Sequence, residues 1–331
     1  VQDLRPTREN YFRVGVSAGA TGLVTLAGGN FSYQGPLSIL GREGYGELTV
    51  TGGTNVFGSN TSLGYSATGV GRLTVLGGTN TFYNASETQT TLRIGDLGWA
   101  TLLAGGGSNS TCGIVVGNGA SGVGTATVTN GLWTIAENIW VGYSGNGVLT
   151  MSGGEIRFLR SSGATLAIGR NAGGTGEVTV AGGLLNVNGE VRLGGDVKTR
   201  ARLTLSGNGV LRAKYLRENN SAADSGILFD GGTLQAAETG TLLHSVDDVR
   251  LTTNGMVVDT AGYVVSVATA LENAAGQAGG ITKKGAGTLT LAAVRNATGP
   301  VSVLAGTLVI SNAVAVSSGI SRIDGILTLT E

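Results

Sequence analysis

A block of the form Φ-x-Φ-Gly, a glycine-rich turn, then Leu-Thr-Val-x-Gly-Gly recurs along this chain, where Φ is a bulky apolar residue. Its first glycine falls at Gly15, Gly41, Gly64, Gly95, Gly117, Gly142, Gly169 and Gly194, which is 179 residues from first to last and about 26 per step. A unit of that size cannot bury its apolar face alone, so its copies must stack on one another as a solenoid.

Composition narrows the choice. Glycine is 60 of 331 residues, but with 3 prolines and no Gly-X-Y period collagen is excluded. Hydrophobic residues at 41% against charged ones at 13% argue for a packed core over disorder. Lys plus Arg and Asp plus Glu are 21 each, so no bulk field favours nucleic acid or an anionic membrane as partner. No apolar run reaches the length of a membrane span. Val1 is not an initiator methionine, so the chain is expected to be processed or trimmed. Cys112, the sole cysteine, has no internal disulfide partner and reads as a small buried strand residue.

The rung follows from period-two alternation. In Phe12-Arg13-Val14, Leu37-Ser38-Ile39, Leu92-Arg93-Ile94, Ile139-Trp140-Val141, Leu166-Ala167-Ile168 and Val191-Arg192-Leu193 the outer residues should point inward and the middle one should face water. In the second strand, Thr25, Thr49, Thr74, Thr127, Thr150, Thr179 and Thr204 should form an outer ladder about 4.8 Å apart, with Leu102 breaking the row. The glycine pairs Gly28-Gly29, Gly52-Gly53, Gly77-Gly78, Gly153-Gly154 and Gly182-Gly183 mark corners where one residue needs positive φ. Beyond them Phe31, Phe57, Phe82, Trp133 and Phe158 share one parity and should stack. Asn55 and Asn80, with Asn30 and Asn109 nearby, suggest an asparagine ladder.

The expected fold is therefore all-β: a single-stranded parallel β-helix of roughly 13 rungs of about 25 residues, a rod on the order of 60 Å. Residues 1–11 read as an arm or cap, 12–212 as regular repeats and 213–331 as a less regular continuation, with residues 213–225 expected to leave the stack.

Residues 279–310 carry a more particular pattern. Gly279-Gly280-Ile281-Thr282-Lys283-Lys284-Gly285-Ala286-Gly287-Thr288-Leu289-Thr290-Leu291, followed by Asn296, Gly299 and Ala305-Gly306-Thr307-Leu308-Val309-Ile310, resembles the autotransporter-associated β-strand repeat of bacterial passenger domains. Pro300 departs from the small residue usual there. The resemblance implies a right-handed helix exported to the cell surface for adhesion, aggregation or use as a stalk, with no catalytic residues.

Parallel β-helices also host polysaccharide lyases and hydrolases, which need clustered carboxylates. The best cluster is Asp224, Asp230, Asp247, Asp248 and Asp259 with Arg250 and His244, but no carboxylate pair recurs at one rung position. The Gly173–Glu177 stretch lacks the aspartate of a calcium nonapeptide, and Gly117–Gly122 matches Gly-x-Gly-x-x-Gly but precedes a strand. No catalytic, metal or cofactor site is expected. An ice-binding face would need a second regular row, and Ala27, Thr51, Leu76, Thr129, Ser152, Ala181, Ser206 is irregular, while Arg13, Arg93 and Arg192 spoil flatness. Trp140, Tyr65 and Tyr143 should point outward, with Trp99 on the same surface, where they can stack on a glycan or a protein.

The expected function is a non-enzymatic extracellular structural or adhesive β-solenoid of a bacterial surface that stacks end to end into filaments. Asp3, Arg5 and Arg8 of the opening segment would lie across the adjoining subunit. A polysaccharide-active enzyme is the alternative and an ice-binding solenoid a minor one.

Overall fold

The structure, a computed structural model, describes residues 11–83, 91–160, 163–221, 223–292, 294–311 and 320–330. Asp3, Arg5 and Arg8 lie outside the described residues. The described fold is all-β, a parallel β-solenoid of about 12 turns spaced about 24 residues apart.

One rung shows how the chain builds it. Leu37–Leu40 lies in the first sheet, Gly41 turns the corner, Tyr45–Val50 lies in the second, Gly52-Gly53 turns again, and Thr54–Phe57 lies in the third. The first sheet stacks 14 strands from Phe12–Val14 to Ile326–Thr330. The second and third are joined because Asn146–Phe158 and Thr175–Asn186 run through the corner between them as continuous strands. Every pairing between named strands is parallel, so each residue meets its counterpart one turn on.

The corners require glycine. Gly41 has φ +71°, and a Cβ there would lie 2.0 Å from the Val70 carbonyl oxygen of the next rung. Of each glycine pair the second carries the positive φ, as at Gly53 (+83°). Backbone conformation and rung spacing thus both exclude a side chain.

Inward columns are aliphatic. Leu48, Leu73, Leu102, Ala126, Leu149, Val178, Leu203 and Ile227 follow one another in register, all buried. Full burial of one such aliphatic side chain is worth about 1.5–3 kcal/mol. Leu102 therefore belongs to the core, and the residue that interrupts the threonine row is Leu103, which pairs with Thr74 and Thr127.

The aromatic residues form an interior chain, but on two columns. Phe57 and Phe82 stack at 5.1 Å and 5°, Phe82 and Trp133 at 5.9 Å and 10°, and Phe31 joins Phe57 at 5.1 Å. Phe31 and Trp133 occupy the column of Asn55, two residues before that of Phe57, and Phe158 makes no ring contact among the described residues. In three successive rungs volume is traded between sheets. Where the third sheet supplies Phe57 and Phe82, the first supplies Ser38 and Thr61; where it supplies Thr111, the first supplies Leu92. Ser38 is consequently inward and 1% exposed, in register with Phe12, so the expected phase of that strand is off by one.

An asparagine ladder and a lysine also lie in the core. Asn55 Nδ2 donates to Asn80 Oδ1 and Asn80 Nδ2 to Asn109 Oδ1, each at 2.8 Å. Asn30 is not part of this ladder: it is exposed and pairs with Thr54. Lys283 is 0% exposed, between Val258 and Val303, and its Nζ donates to the carbonyls of Lys284 (2.8 Å), Gly285 (2.7 Å) and Ala305 (3.0 Å). The rungs here shorten: Thr288, Thr307 and Ile326 pair in succession. Pro300 keeps the pairing, since its carbonyl accepts from Ile281 N–H at 3.0 Å. The expected excursion after residue 213 is also absent. Tyr215–Glu218 is a first-sheet strand in register with Glu190–Leu193, because Leu216 fills the aliphatic column despite polar neighbours.

Gly41→Ala should destabilise the rod by more than about 1 kcal/mol in urea unfolding. Gly28→Ala, where a Cβ meets nothing within 4 Å, should stay within about 0.5 kcal/mol. Burial holds the Lys283 ammonium below its ordinary pKa, against the pull of Asp259. The unfolded chain therefore binds more protons, and stability rises with pH up to the ordinary lysine value of about 10.4. Unfolding free energies compared from pH 8 to 10 should shift in favour of the wild type relative to Lys283→Met.

Candidate ligand-binding face

The outward column of the first sheet alternates long and short side chains. Arg93, Val115, Trp140, Ala167 and Arg192 stack in register, followed by Arg217 and His244. Neighbours in such a column are about 4.8 Å apart, so a long side chain covers part of a short neighbour. Val115 and Ala167 are thus 2% and 6% exposed although they sit at outward positions. The expectation that every middle residue faces water fails at Ala167 for this reason.

Trp140 stands between two hollows. The one beside Val115 has a volume of about 670 Å³ and includes Thr91, Arg93, Asn138, Tyr143 and Arg160 in its wall. The one beside Ala167 has about 450 Å³ and is walled by Asn138, Arg170, Asn171, Arg192 and Asp196. The Trp140 and Tyr143 rings lie 5.1 Å apart, and the Arg170 guanidinium sits 4.3 Å from the Trp140 centroid and 5.1 Å from that of Tyr143. Such cation–π contacts hold the planar cation in place.

Charges around the hollows are tied unequally. Arg160 pairs with Glu137, and Arg192 with Glu190. Arg170 forms no salt bridge among the described residues. Glu190 also accepts from Arg217 Nε at 3.2 Å. Burial pushes the Glu190 carboxyl up, but Arg192 and Arg217 outweigh it and hold it below its ordinary value. Burial and then Arg217 push the His244 imidazole down, and its ring lies 6.0 Å from Tyr215. At the corner below the larger hollow, Asp96 accepts from Ser62 Oγ and Asn118 Nδ2, both at 2.6 Å.

The other singled-out residues lie elsewhere. Trp99 is 62% exposed on the second sheet, in register with Val70 and Val123, and Tyr65 sits at the corner after Gly64. Thr25, Thr49 and Thr74 form one in-register run on the second sheet, and Thr127, Thr150, Thr179 and Thr204 another. Thr74 is buried, the others half-buried or exposed. Of the carboxylates near residue 240, Asp224 and Asp247 lie near the buried Glu218 carboxyl, whose pKa burial pushes up, and the Asp247 N–H donates to Glu218 Oε2 at 3.4 Å. Asp224 pairs with Arg202 (2.5 Å), Asp230 accepts from Thr252 (2.5 Å) and Asn254 (2.7 Å), Asp248 pairs with Arg250 (2.5 Å), and Asp259 accepts from Gln235 (2.9 Å). No group of three or more His, Cys, Asp or Glu side chains suited to a metal ion occurs among the described residues. Nor does any helix long and apolar enough to cross a membrane.

Sequence reasoning did not single out Arg170, Asn138 or Asn171. The signal that could have found the hollows is the Arg93, Val115, Trp140, Ala167, Arg192 alternation, which needs the register to be read. No protein-family model, no curated protein and no solved structure matches this chain.

Glu190→Gln should cost about 1.5–3 kcal/mol at pH 7, the worth of charge-assisted hydrogen bonds to a buried group. Because the folded pKa is lowered, this stabilisation is present above the ordinary glutamate value and is lost as pH falls through the folded one. Melting curves of wild type and variant should draw together as pH falls below the ordinary glutamate value of about 4.3.

Proposed function

We propose that this chain is a non-enzymatic, extracellular structural or adhesive rod of a bacterial surface, with the first sheet as its adhesive face. The observation that carries this reading is the pair of hollows flanking Trp140 on a scaffold whose neighbouring rungs repeat closely. A rigid ladder fixes those side chains without a separate binding domain. Asp224, Asp230, Asp248 and Asp259 are each engaged by a separate local partner, which favours a scaffold over a hydrolytic site. The passenger-type pattern at 279–310 supplies the surface setting. Self-association end to end belongs to the same proposal, because parallel backbone pairing between rungs is a bonding scheme that a second copy can continue.

The test is retention of protein-coated beads on immobilised polysaccharides and on bacterial cells. Trp140→Ala should remove most of the retention, while Thr204→Val on the second sheet should leave it intact. Equal retention of both would place adhesion on another face. Light scattering of the same samples should show particles of graded length, and a single monomeric size would exclude end-to-end assembly.

A further inference from the structure

The two hollows specify more than a sticky face. We infer that they form one binding site for a linear acidic glycan running along the rod axis, an inference that rests on the first sheet being the adhesive face. Three observations carry it.

The first is spacing. Val115 and Ala167 floor the two hollows and are two ladder steps apart, with Trp140 between them. At about 4.8 Å per step that separation is on the order of 10 Å. A repeating polymer that advances by about one sugar ring per rung can fill both hollows at once, whereas a compact ligand fills one. The second is the stacking surface. Arg170 lies against Trp140, and both it and Ala167 wall the smaller hollow while Val115 walls the larger. Arg170 thus engages the indole from the smaller hollow, and in the larger one Trp140 and Tyr143 form an aromatic pair on which the apolar face of a sugar ring can pack.

The third is charge. The walls of the two hollows together carry Arg93, Arg160, Arg170 and Arg192; Asp96, Glu137 and Glu190 pair with the first, second and fourth of these, which leaves Arg170 and, opposite in sign, Asp196. Asp196 Oδ1 is already occupied by the Val197 N–H at 2.7 Å. Arg170, stacked on two rings and without a salt bridge among the described residues, keeps its N–H edge for an anion. A guanidinium held in place in this way presents a fork that matches a carboxylate or a sulfate bidentately. Asn138, shared by both hollows, accepts from the Thr165 N–H at 2.9 Å, and Asn171 Nδ2 donates to Ser144 Oγ at 3.1 Å, so the Asn138 amide N–H groups and the Asn171 carbonyl are what they add for hydroxyl groups.

The experiment is calorimetric titration of the full chain with size-defined oligogalacturonates, a sulfated oligosaccharide, neutral xylo-oligosaccharides and a short single-stranded DNA. Acidic oligosaccharides should bind most tightly, more weakly as salt is raised, and the uronate and sulfate arms identify the preferred anion. Arg170→Gln should lower affinity for them at least tenfold with melting unchanged. Arg170→Lys should lose nearly as much, because an ammonium has no planar fork, and Trp140→Ala should abolish binding. Neutral oligosaccharides binding as tightly, with Arg170→Gln without effect, would overturn the acidic assignment and leave the adhesive face standing. No binding of any oligosaccharide, together with Trp140→Ala beads as adhesive as wild type, would sink both readings. DNA binding tighter than every oligosaccharide would also overturn the glycan assignment.

Discussion

Parallel in-register pairing of each rung with the next is the constraint on which the rest of this protein depends. It places every side chain on its counterpart one turn away, so a residue type survives in a column only if it tolerates such a neighbour. Aliphatic columns meet that condition without cost, and they fill the interior. Asparagine meets it because one amide can donate to the next, as Asn55, Asn80 and Asn109 do. Charged residues do not, and the second sheet resolves this by alternation: Glu47 pairs with Arg72, Glu177 with Arg202, Arg250 with Glu272. Where like charges do stack, at Arg192 and Arg217, the buried carboxylate of Glu190 lies between them.

The same constraint sets how the core absorbs irregularity. In the rungs of Phe57 and Phe82 the large ring is matched by a small residue, Ser38 or Thr61, on the first sheet of the same rung. Lys283 is the sharpest departure, since a cation sits where its column neighbours are valines. Its three carbonyl acceptors come from the corner following its own strand and from the next rung, so the group ties two layers where the rungs shorten.

A regular scaffold makes local variation informative. The outward threonines of the second sheet repeat with little change, whereas the first sheet varies in length and charge from rung to rung. Height differences between stacked neighbours cut hollows into a surface that a uniform column would leave flat. Trp140 and Tyr143 come from one segment and Arg170 from the next rung, and the ladder brings the cation onto the two rings.

The chain's own pattern determined the solenoid and its glycine corners, and the parity of most strands though not that of Leu37–Leu40, because these depend on spacing within one rung and on the conformations only glycine adopts. It also placed Leu48, Val141 and Leu203 inside, since period-two alternation is local. Tertiary structure decided which rung positions meet. Unit lengths vary from 22 to 31 residues between successive first glycines, so alignment across rungs depends on how each loop closes. That is why the break in the threonine row fell on Leu103 rather than Leu102, why Ser38 turned inward, and why Trp99 stands apart from Trp140. The hollows were illegible for the same reason: they are a property of neighbours about 25 residues apart, set by backbone register and not by any contiguous motif.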